Sequence, residues 1–151
     1  MPMNQRFASI ARYLLGLGFV VFASNYFVPF LPAPASPPAR AMPFLAAFAG
    51  SGFLTFIKTI ELASGLALLA NRFVPLALAL LAPIIVGITL FHALLAPAGL
   101  GIAILFVLLE LALAWSYRAA FAPMLRVRTD LSPLPQGATT RHGATAARMS
   151  A

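Results

Sequence analysis

Four apolar runs dominate the chain, at about residues 7–31, 44–70, 74–96 and 100–118. A helical membrane span needs about 20 such residues, and no run shows the strict alternation of a half-buried strand. Each is therefore predicted to be a transmembrane helix. The breaks between them support this. Residues 32–43 hold five prolines, which cannot continue a helix and favour an extended, polyproline-like loop. Asn71-Arg72 is the whole link between the second and third runs. Asn tolerates a left-handed cap and Pro75 suits the first turn of the next helix, so these runs form a tight helical hairpin. Pro97-Ala98-Gly99 makes the last turn. The second run is longer than a bilayer requires, which predicts a tilted helix or one whose first turns lie at the interface. Pro83 falls inside the third run and is expected to kink it.

The first run exceeds the ~7–15 residues of a signal-peptide core, so it reads as a span and not as a cleaved leader. Residues 126–151 are rich in Ser, Thr, Pro, Gly and Ala and lack apolar periodicity. They are predicted to be a disordered tail. The expected class is an all-α membrane protein: a four-transmembrane-helix bundle over residues 1–125, then the basic tail.

Composition strengthens the membrane assignment. Hydrophobic residues make up 62% and charged residues 9%, with mean hydropathy +0.96. Soluble domains carry about 25% charge. The net charge of +7 raises the question of nucleic acid, but the arginines flank apolar runs and form no stripe with aromatics. They are better explained by the excess of Lys and Arg in cytoplasmic loops. Arg6, Arg12, Arg72, Arg118 and the tail arginines fall on one side, and only Arg40 on the other. Both termini are then expected in the cytoplasm, with the protein multi-pass in the cell (inner, cytoplasmic) membrane. Cysteine is absent, which excludes thiol–disulfide exchange and Cys-ligated metal. No metal-ligand spacing or phosphate-binding glycine loop is present.

Candidate chemistry lies within the spans. Asn25, Lys58, Glu61, His92 and Glu110 are polar or titratable at membrane depth. Such residues are costly in lipid, and they usually face the bundle interior and pair. Lys58 and Glu61, three apart, share a helix face. With a rise of about 1.5 Å per residue, Glu110 lies about 12 Å from Arg118 and Glu61 about 16 Å from Arg72. On the same basis Lys58 is about 21 Å and His92 about 30 Å from Arg72. The five form a candidate intramembrane polar site, with no metal expected. Lys58 opposite two carboxylates leaves one negative charge in excess. Charge balance predicts a proton on one of them, and Glu110 has no partner on its own helix. Gly16, Gly18, Gly50, Gly52 and Gly65 read as helix-packing positions.

Several residues, in order, carry a family resemblance. They are Arg12 with Leu14-Leu15-Gly16, Ser51-Gly52-Phe53 ahead of Ile60-Glu61-Leu62, and the run Asn71 to Leu76. Ala82-Pro83, Phe91-His92 and Glu110-Leu111 followed by Trp115 to Arg118 complete it. Across about three-quarters of its length the chain resembles the DoxX/DoxX-like family of small four-span membrane proteins. The resemblance implies a four-helix bundle and a link to membrane redox complexes, since the family is named after a subunit of a thiosulfate:quinone oxidoreductase.

Two main functions follow as expectations, with a third beside them. One is a redox-associated subunit holding a quinone or another amphiphile, with Lys58 and His92 hydrogen-bonding its carbonyl oxygens and Glu61 or Glu110 relaying protons. The other is a non-catalytic membrane partner or assembly protein in which the Lys–Glu cluster is structural; a small proton-coupled transporter is a third. The bilayer is the expected partner, with a redox protein or a second copy of the chain beside it.

Overall fold

The computed structural model describes residues 3–32 and 36–125, and every regular element among them is helical. The tail from residue 126 lies outside the described residues. Helix α1 spans Met3–Phe27, α2 Met42–Gly50, α3 Phe53–Leu69, α4 Val74–Leu94, α5 Leu100–Ser116 and α6 Arg118–Phe121. Helices α1, α4 and α5 with its preceding turn are each long and apolar enough to cross a membrane. The α2–α3 pair makes a fourth span if its two parts count as one.

That pair corrects the expectation of one continuous second span over 44–70. It breaks at Ser51-Gly52 and bends by 80°. Gly52 takes a left-handed φ of 74°, which glycine adopts without a Cβ penalty. A Cβ on Gly50 or Gly52 would meet nothing within 4 Å, so neither is a packing position. The first helix also ends earlier than residue 31. Pro29 biases Val28 out of helical geometry, and the Asn25 side chain accepts from Phe30 N and Leu31 N at 2.9 and 2.7 Å. Helix α4 continues through Pro83 to Leu94, and α5 gives way at Tyr117 to the short α6.

The α3–α4 hairpin closes with a Schellman motif. Arg72 N donates to Ala67 O and Asn71 N to Leu68 O, capping carbonyls left free at the helix end. Asn71 sits at φ 53°, as its residue type predicts, and Phe73 at φ 52°.

Helix α3 packs centrally against α1 and α4, and α5 covers the remaining faces of α1 and α4. Gly16 on α1 and Gly65 on α3 bring the two backbones together. A Cβ on Gly65 would stand 3.0 Å from Gly16 O. Around this crossing Leu15, Phe19, Leu68, Leu78, Leu81 and Leu113 are fully buried. The outward faces stay apolar, with Leu108, Leu111 and Leu90 all more than half exposed. A helix apolar on every face suits a lipid surround. Arg12 is 5% exposed and donates to Leu68 O and Leu69 O, placing a cation at the C-terminal end of α3 where the helix dipole favours one.

Candidate functional site

The break in the second span opens a cavity of about 900 Å³ between α2, α3, α4 and α5, with Phe19 and Phe22 of α1 at its wall. Phe44, Phe48, Phe53 and Phe91 form an aromatic side, with Phe44 5.4 Å from Phe48 and 5.7 Å from Phe91 between ring centroids. Helix α2 buries none of its own residues and lies across this space. Arg40 Nε donates to Leu95 O at 3.1 Å, tying the turn before α2 to the end of α4. Most of the lining comes from the half of the bundle farther from the start of α1 and the end of α5.

Lys58, Glu61 and His92 line this cavity. Lys58 Nζ lies 2.7 Å from Glu61 Oε2, the i,i+3 geometry that the spacing allows. The carboxylate is 2% exposed and the lysine 21%. Glu61 is held deep in the wall while Lys58 faces the open space. One of the three ammonium N–H donors is used, and two remain for a ligand oxygen.

His92 Nδ1 is 2.9 Å from Ala96 O. A carbonyl only accepts, so Nδ1 carries a proton and donates to it, and Nε2 is the ring nitrogen left for a ligand. The ring lies over Gly99, where an added Cβ would come within 2.1 Å of its Cε1. Gly99 is therefore required for this rotamer, a dependence that sequence spacing does not reveal.

The other two candidates lie elsewhere. Asn25 caps the end of α1 and does not line the cavity. Glu110 is 7% exposed on the face of α5 that buries Ala103, Phe106 and Leu113, and it too lies outside the lining. Its Oε2 has no hydrogen-bond partner among the described residues. Among those residues Lys58–Glu61 is the only salt bridge, so the depth-matched cluster with Glu110 does not form a three-charge contact.

Sequence reasoning missed one contributor to the site. The aromatic side of the cavity arises because the bend at Gly52 turns Phe44 and Phe48 back toward Phe53 and Phe91. Its one signal was the Gly50-Ser51-Gly52 triplet. Outside the site, Arg12, one of the arginines that set the expected orientation, is a buried cap on the end of α3.

The fold and cavity define a chain whose described elements are all helical, with three or four helices suited to a bilayer and an open apolar cavity bearing an ion pair. No protein-family model, curated protein or solved structure matches it.

Proposed function

We propose that this chain is a four-span, DoxX-like protein of the cell membrane whose bundle holds one amphiphile with an oxygen-bearing headgroup, in the service of a membrane redox complex. The α2–α3 pair counts as one bent span, and both termini face the cytoplasm. The observation that carries the reading is the cavity of about 900 Å³ with apolar and aromatic walls and a lysine held by a buried carboxylate. Ligand sites of about 300–1,000 Å³ with a few convergent polar groups are typical of small-molecule binding. A quinone fits this set of residues. Lys58 would hold a ring oxygen, the phenylalanines would contact the ring and tail, and Glu61 would keep Lys58 in place. A bound quinone would supply two-electron redox capacity.

The ion pair argues against a purely structural role. Both partners sit on α3, so the pair ties no two helices together. A charged pair retained to fix helix register would be expected to bridge helices.

Lipid extracts of the purified protein test the reading. Wild type should carry close to one quinone per chain. Lys58→Met with Glu61→Leu should remain folded and bind about ten- to a hundredfold more weakly, the range for a lost hydrogen bond to a charged group. Equal quinone in both samples, or none in wild type beside a stoichiometric co-purifying protein, would favour the structural partner instead.

Topology has its own test. The chain has no native cysteine. A cysteine at Ala98 should react with an impermeant thiol reagent in intact cells, and one at Ser150 should not. Labelling at Ser150 would reverse the orientation.

A further inference from the structure

A second cleft, of about 660 Å³, lies between the start of α1 and the end of α5. Gln5, Phe7, Ala112, Trp115, Ser116 and Arg118 are among its lining residues. We propose that it holds one acidic phospholipid, its phosphate on Arg118 and an acyl chain along Phe7 and Trp115.

The cleft is graded in polarity. Ala112 lies four residues before Ser116 along α5, about 6 Å deeper in the bundle at the helical rise. The polar groups Gln5, Ser116 and Arg118 flank the apolar walls. Phe7 is 60% and Trp115 72% exposed, so large apolar faces are open to whatever fills the groove. Trp at this level matches the interfacial position the residue prefers in membranes.

Arg118 is positioned for an anion. Its guanidinium lies 5.2 Å from the Trp115 ring centroid, and one nitrogen donates to Trp115 O at 3.1 Å. Most of its five N–H donors remain available, and no described carboxylate lies within salt-bridge reach. A planar guanidinium suits phosphate geometry.

The surrounding charge selects the occupant. Among the described residues Arg6, Arg12 and Arg72 lie at this same end of the helices as Arg118, and Arg40 and Lys58 lie away from it. The three acidic residues are Glu61 and Glu110, inside the bundle, and Asp130 beyond α6. The chain's own residues 126–151, with four arginines and one aspartate, carry the wrong sign to fill a cationic cleft. Basic pockets between membrane helices on the cytoplasmic side bind acidic headgroups.

Trp115 is the chain's single tryptophan, so its fluorescence reports on the cleft directly. The full-length protein in mixed micelles would be titrated with phosphatidylglycerol or phosphatidylcholine bearing brominated acyl chains, which quench on contact. Phosphatidylglycerol should quench at about a fivefold lower lipid fraction, the effect of one basic residue near an anionic lipid. Arg118→Gln should abolish this preference. Arg72→Gln removes the same charge at the same end but outside the cleft, and should preserve it. Equal quenching by both lipids in wild type overturns the proposal. So does a preference that survives Arg118→Gln or disappears in Arg72→Gln, since either makes the effect one of diffuse charge. Loss of the preference in millimolar inorganic phosphate would assign the site to a free anion and overturn the lipid.

Discussion

Lys58→Met is expected to destabilise the detergent-solubilised bundle by about 3–5 kcal/mol, the cost of stranding one partner of a buried pair. The reason is Glu61, which is 2% exposed and whose Oε2 takes its hydrogen bond from Lys58 Nζ. Removing the ammonium leaves a carboxylate with little water to replace it. Lys58→Met with Glu61→Leu removes both charges, and such replacements are often near neutral. The double variant should therefore melt above the single one, close to wild type. Glu61→Leu alone should cost less than Lys58→Met, because the abandoned lysine faces the cavity and can be solvated there. Thermal melts of the three variants in one detergent decide the matter. If Lys58→Met and the double variant melt together, water in the cavity already supports the carboxylate and the pair adds nothing to folding.

The second large effect is expected at the crossing of α1 and α3. Gly65→Ala places a Cβ 3.0 Å from Gly16 O and 3.1 Å from Val20 N, both backbone atoms that cannot rotate away. The helices must separate, at a cost of about 1–3 kcal/mol, the range for overpacking a tight interior. Gly16→Ala faces Gly65 O at 3.1 Å, and the double alanine variant should lose less than the sum, since one separation relieves both clashes. Gly101→Ala is the control: nothing lies within 4 Å of its added Cβ, so its change should stay within about 0.5 kcal/mol. A Gly65→Ala protein as stable as the Gly101→Ala protein would mean that the two helices do not touch where the structure joins them.

These two sites differ in how far they can be read from residues alone. Lys58 and Glu61 pair because i,i+3 positions on one helix are neighbours wherever that helix sits. Gly16 and Gly65 could be read as packing residues, but nothing in their spacing says that they pack on each other. Gly50 and Gly52 looked the same and pack on nothing. The difference lies in the left-handed φ of Gly52, which turns a glycine suited to close packing into a hinge. Averaged hydropathy passes over this hinge because the residues on both sides of it are equally apolar.

What the residues determined by themselves is local or additive. Apolar content and run length set the membrane class and the approximate spans, since transfer free energy sums along a segment. Proline-rich and Asn-Arg junctions set the turns, because φ restrictions act within a few residues. Tertiary structure decided which polar side chains share a chamber. Asn25, Lys58, Glu61, His92 and Glu110 all have suitable depth, yet only three line the cavity. Depth follows from the rise per residue, whereas facing depends on how each helix is rotated about its axis. In a soluble helix an apolar stripe reports that rotation. Here most helices are apolar on every side, so the stripe is missing, and rotation is set by contacts such as Gly16 on Gly65, Phe19 on Phe106 and Arg12 on the end of α3.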